Sequence, residues 1–143
     1  MRNKFVSLQA LALLVIFCLT GSLTRAAVNP KPFVVPELKQ WTGKDGNFTP
    51  GKDARIVCTS QNPELLRIAR MFADDYQQMF GKTLSVTQGK ATPGDFILSL
   101  SADKKLGEEG YEIKITDRIT TTAPTLTGLY WSTRTLLQIA EQS

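Results

Sequence analysis

The sequence predicts an α+β fold: a two-layer sandwich in which a largely antiparallel sheet carries two helices packed on one face. Three observations predict it. Two stretches, one opening at Pro63 and one at Pro124, repeat apolar residues at helical spacing on a single face. Short stretches at 54–59, 82–87, 95–101, 110–116 and 119–122 are β-branched or alternate apolar and polar residues, as half-buried strands do. Short turns separate neighbouring strands, and short connections favour antiparallel pairing. One-faced helices and one-faced strands bury those faces against each other.

The fold does not begin at Met1. Arg2 and Lys4 precede an apolar run from Phe5 to Leu19, and small and polar residues follow, ending in TRAA. This is the order of a secretory signal peptide, expected to span 1–26 with cleavage after Ala26. The apolar run is shorter than the roughly 20 residues a membrane span needs. The expected mature protein is exported, periplasmic or extracellular, and holds no membrane segment. The full chain has 143 residues, 17 basic and 13 acidic, for a net charge of +4. Arg2, Lys4 and Arg25 leave with the signal, so 14 basic residues face 13 acidic ones, a balance of +1. The basic pI is therefore no sign of a nucleic-acid partner, and no basic run interleaved with aromatics supplies one. Cys18 is lost too, which leaves Cys58 without an intramolecular partner.

The segment 28–36, VNPKPFVVP, contains three prolines and reads as an extended lead-in. Residues 38–48 place the turn dipeptide Asp45-Gly46 between Trp41 and Phe48, the pattern of a hairpin. Residues 54–59 read as a strand. Asn62 then caps a helix with Pro63 in its first turn, and Gly81 ends it. Leu65, Ile68, Ala69, Phe72, Tyr76 and Met79 form its core face, with Arg67, Arg70, Asp74 and Gln78 opposite. Strands at 82–87 and 95–101 follow, then a polar loop at 102–109. A strand at 110–116 turns at Asp117-Arg118 and runs back through 119–122. In the last helix Leu126, Leu129, Tyr130, Thr133, Leu136, Leu137 and Ala140 share the core face. Gly128, Trp131, Thr135 and Gln142 fall on the far side, with Ile139 nearby.

The residues show little catalytic chemistry. The chain has no histidine, which removes Ser-His-Asp and Cys-His sites and the usual zinc sets. No glycine-rich phosphate loop is present. Asp74 and Asp75 are helix neighbours pointing about 100° apart, so they cannot converge. Glu108-Glu109 ends a polar loop beside Lys104 and Lys105, without the apolar pocket that raises a carboxyl pKa. Cys58 alternates with Ile56 and Ala54 and is expected to be a buried, inert thiol. Asn47-Phe48-Thr49 fits a glycosylation sequon, a triplet frequent by chance. No catalytic, cofactor-binding or metal-binding residue is assigned.

Trp131 on a face that should be solvated is the exception, and its surroundings resemble a known module. EGYEIKITDRITTTAPTLTGLYWSTRTLLQ resembles the end of the small N-terminal α/β domain of family 20 glycoside hydrolases, the β-N-acetylhexosaminidases. That module has a Glu-Gly-Tyr strand, here Glu109, Gly110 and Tyr111, and a helix with Gly128, Tyr130, Trp131, Thr135, Leu136, Leu137 and Gln138. VVPELKQWTG resembles its first strand, and the resemblance covers roughly 34–142. Ser132 departs from it, where relatives often carry a second glycine. The resemblance implies a non-catalytic domain that braces a (β/α)₈ barrel. In the barrel, the substrate's acetamido group acts as nucleophile beside an Asp-Glu pair. It further implies that 27–143 is such a domain without its barrel, as a gene fragment, a truncated gene model or a degenerate gene would leave it. Under this reading Gly128, Trp131, Thr135 and Ile139 are candidate contacts to the barrel. A second reading is a self-standing exported module that binds a glycan or a protein, with Trp41, Tyr130 and Trp131 as sugar-stacking candidates. A third, a small secreted inhibitor-like domain, has no loop motif to support it.

Overall fold

The computed structural model describes residues 28–142; the signal peptide expected at 1–26 lies outside them. Strand β1 (Arg55–Cys58) leads into helix α1 (Pro63–Phe80) and strand β2 (Ser85–Gln88). Strand β3 (Phe96–Leu100), a short 3₁₀ turn (Lys104–Leu106), strand β4 (Glu112–Ile115), strand β5 (Ile119–Ala123) and helix α2 (Leu126–Glu141) follow. The α+β class and both helices stand as expected.

The sheet is not largely antiparallel. Its order is β2-β1-β3-β5-β4, and β1 runs parallel to β2 and to β3, as β3 does to β5. Only β4 and β5, joined by the tight turn at 116–118, pair antiparallel. Helix α1 is a crossover that returns the chain parallel to β1. β3 then settles on the far side of β1 instead of beside β2. A short connection between consecutive strands implies antiparallel pairing only when those strands are neighbours, and β1 separates β2 from β3.

Ile56, Phe96 and Ile119 stand in one register row, and Cys58, Leu98 and Thr121 in the next. Both rows face the helices. Phe96 is the hub: its ring meets Phe48, Phe72 and Tyr76 edge-on, at centroid distances of 5.5, 5.6 and 5.6 Å. Edge-to-face contact is the arrangement that ring quadrupoles favour. Asn62 caps α1 by accepting from the Glu64 and Leu65 amides, and Gly81 closes it in the left-handed conformation at φ 67°. Met79, expected in the core, is exposed; Phe80 packs inward instead, 4.7 Å from the Tyr76 ring.

No hairpin forms at 38–48. Asn29 holds that loop in place of a partner strand. Its amide donates to the Lys44 carbonyl, its side chain donates to the Gly46 carbonyl, and its own carbonyl accepts the Trp41 indole N–H at 3.2 Å. The loop's other end is fixed by Phe48 on the core.

Candidate interdomain face

Thr125 caps α2, its hydroxyl accepting from the Gly128 amide and donating to the Glu108 carbonyl. Leu129, Thr133, Leu136 and Leu137 turn into the core, as their spacing predicts. Ser132 is fully buried, and its hydroxyl donates to the Leu129 carbonyl at 2.6 Å. A small side chain is what that position admits, so the departure from glycine is accommodated inside the helix.

The four candidate contacts to the barrel, Gly128, Trp131, Thr135 and Ile139, divide into two pairs. Gly128 and Thr135 point inward. A side chain at Gly128 would meet the Gly110 carbonyl oxygen, and Thr135 is 2% exposed with its hydroxyl 2.6 Å from that of Tyr111. These residues make room for the domain's own segment 109–111, which leads into β4, not for a second surface. The helical wheel misplaced them because the segment 109–111 lies against α2 on a side that the wheel leaves to solvent. Trp131 remains at the surface, 42% exposed, and Ile139 is half-buried.

Around Trp131 the structure gathers a small aromatic and cationic group. Its ring meets Tyr130 edge-on at 5.2 Å, and the Arg134 guanidinium lies 5.1 Å from the Tyr130 ring centre. Arg134 also pairs with Asp75 of α1, so the two helices are tied by charge. One guanidinium nitrogen of Arg134 is buried without a hydrogen-bond partner. A shallow cleft between the helices opens beside Trp131, floored by Ile68, Met71 and Leu126 and edged by the Glu64–Arg67 pair. Nothing in the sequence marked Asp75 and Arg134 as partners, because 59 residues separate them. Trp41 sits apart in the 38–48 loop, its N–H given to the Asn29 carbonyl.

The adjacent acids that the sequence offers do not converge on a site. Asp74 is exposed while Asp75 serves Arg134, so the two carboxylates stay apart. Glu108 and Glu109 are exposed on their loop, and the contact made there is through the Glu108 backbone carbonyl. Burial pushes the Cys58 thiol up to about 11 against a weak pull from Arg70, so it stays protonated and unreactive. Among the described residues, no three His, Cys, Asp or Glu side chains gather into a set that could hold a metal ion. No described helix is long and apolar enough to cross a membrane.

The structure also assigns work to two glutamines that sequence reasoning left idle. Gln138 accepts from the Val35 amide at 2.8 Å and donates to its carbonyl at 3.1 Å. Gln142 does the same for Phe33, at 3.0 and 2.7 Å. The signal in the sequence was a Gln pair four residues apart on the stripe of Trp131.

A solved structure shares this architecture. The family 20 β-N-acetylhexosaminidase from Streptomyces coelicolor A3(2) superposes with a TM-score of 0.59 at 23% identity, over 78% of this chain and 22% of that one. The Streptomyces plicatus N-acetyl-β-hexosaminidase in complex with Thio-NAglucal aligns more loosely, with a TM-score of 0.43 and 24% identity, over 64% of this chain and 18% of that one. The chain thus spans about a fifth of the length of these enzymes. Among curated proteins, none matches it. The sequence pattern of glycosyl hydrolase family 20, domain 2, matches residues 31–143, nearly everything after the apolar N-terminal run, and the chain belongs to that family.

Proposed function

We propose that this domain is the non-catalytic partner of a barrel in an exported β-N-acetylhexosaminidase, which it braces through the outer face of α2. The observation that carries the reading is the Tyr130–Trp131–Arg134 group. Trp, Tyr and Arg are the residues that dominate interface energetics, and here they sit together at the surface. Asp75 is paired with Arg134, and Asp74, Glu108 and Glu109 are exposed without converging on a cleft, which supports a non-catalytic role. The signal-like N-terminus supports export. The product recovered from an exported fraction is expected to begin at Ala27 by intact mass and to leave an aryl N-acetyl-β-glucosaminide unhydrolysed. Turnover that is lost on mutating Glu108 or Glu109 would overturn the non-catalytic role.

The bracing role has its own measurement. Trp131 is 42% exposed, so covering it removes on the order of 100 Å² from water, worth about 2–3 kcal/mol before association costs. Trp131→Ala is expected to cost the chain alone about 1 kcal/mol, the loss of one partly exposed side chain. In a polypeptide that also carries the barrel, the same change is expected to cost about 2 kcal/mol more. Urea titrations of both proteins decide it: equal losses in the two would remove Trp131 from the interface.

A further inference from the structure

We propose that the strap Phe33–Val35 is a second, preformed docking ridge for the catalytic barrel, continuous with the face that carries Trp131. The proposal rests on the reading that a barrel accompanies this domain.

Along the strap the side chains alternate as in a strand. Val34 points inward and is 3% exposed, whereas Phe33 and Val35 point outward at 80% and 66%. The backbone at both outward positions is held by side chains, Phe33 by Gln142 and Val35 by Gln138, each through a donor and an acceptor. Gln142 also donates to the Gln138 carbonyl, which fixes the clamps relative to each other. A segment without a partner strand is therefore held in place by four hydrogen bonds to the Gln138 and Gln142 side chains. What this rigid segment displays to solvent is two large apolar side chains.

Rigidity and exposure together point to a partner. An extended segment needs only one inward residue to lie on a surface, and polar outward residues would keep it soluble. Ordering apolar residues in advance lowers the entropy cost of docking. The Lys31–Glu37 ion pair, at 2.6 Å, flanks the ridge on both sequence sides, the polar rim that marks protein contact sites.

The location names the occupant. Trp131, Gln138 and Gln142 are seven and eleven residues apart, close to two and three turns, so they share one stripe of α2. The strap lies on the last two of them. The proposed barrel face thus runs from Trp131 at the start of the stripe to Phe33 and Val35 at its end. A family 20 enzyme has a chain several times longer than this domain, and its catalytic barrel is the body available to cover such a face.

The test places a photo-reactive benzoylphenylalanine at position 33, 131 or 114, one site at a time, in the polypeptide that carries this domain with its barrel. Lys114 is exposed and its register row, with Thr120, Ile97 and Val57, lies on the sheet face away from the helices. After irradiation, barrel peptides are expected on residues 33 and 131 at yields at least about tenfold above those on 114. Cross-links at 131 but not at 33 overturn the ridge and leave the bracing role standing. Background yields at both 33 and 131 overturn both. Cross-links from 33 to a second copy of the chain, or to no protein, also overturn the ridge. A Gln138→Leu and Gln142→Leu variant releases the strap. It is expected to lose the cross-link at 33 about tenfold while keeping that at 131, and an unchanged yield at 33 would mean that the clamps do not present it.

Discussion

Asp95→Asn is expected to cost the domain about 3 kcal/mol, a large share of the stability a domain of this size holds. Asp95 is 2% exposed and accepts at both oxygens. One takes the Arg55 amide at 3.0 Å and its Nε at 3.4 Å; the other takes Arg55 Nη2 at 2.6 Å and the Thr92 amide and hydroxyl at 2.8 and 3.0 Å. Arg55 also reaches the Lys90 carbonyl. The carboxylate thus staples the loop that brings the chain back from β2 to the start of β3, beneath β1. An amide turns an NH₂ toward groups that are all donors and leaves the Arg55 guanidinium without its counter-charge. Because Arg55 keeps about a third of its side chain in water, the loss sits at the low end of what breaking a buried pair costs.

The same carboxylate gives the domain an acid limit. Burial alone would push its pKa up, but the Arg55 and Thr92 hydrogen bonds outweigh it and hold the group at about 2, below its usual 3.8. A lowered folded-state pKa means that the contribution is complete above the unfolded value and is lost as pH falls from about 4 through 2. Its size is about 2–3 kcal/mol. Urea titrations at pH 6, 4, 3 and 2 are expected to show this loss in the native protein and its absence in Asp95→Asn. A variant within 1 kcal/mol of the native protein at pH 6 would show the staple to be dispensable.

Gly128→Ala is expected to destabilise by about 2–3 kcal/mol, although helix propensity alone argues for a gain of nearly 1 kcal/mol. Steric conflict decides the sign. The added Cβ would lie 2.5 Å from the Gly110 carbonyl oxygen and 3.2 Å from the Ala123 Cβ. Neither neighbour yields easily. A Cβ on Gly110 would itself fall 1.9 Å from the Leu106 carbonyl oxygen, so that loop is packed close on its other side. The Thr125 hydroxyl ties the start of α2 to Glu108. Relief requires α2 to lift from β5, which opens the core around Leu129 and overcomes the propensity gain. Thermal and urea unfolding check it; a raised Tm would mean that α2 has slack at its first turn.

Local chemistry determined much of this protein. Both helices, the caps of the first at Asn62 and Gly81, and the alternation of the strands depend on residues a few positions apart, so they are legible in order along the chain. The family resemblance was legible for the same reason, since it rests on the ordered run from Glu109 to Gln138. Tertiary structure decided what depends on distant neighbours. Which strands pair depends on where β3 lands relative to β1, and the sheet became mainly parallel because β1 lies between β2 and β3. Gly128 and Thr135 lie inward because Gly110 and Tyr111 come against them, which a wheel drawn on α2 cannot show. Asp95, Arg134 and the two glutamine clamps are ordinary polar residues in the sequence, and each acquires its role from a partner 40, 59 and more than 100 residues away. A polar side chain's meaning is set by what it is buried against, and burial is a property of the whole fold.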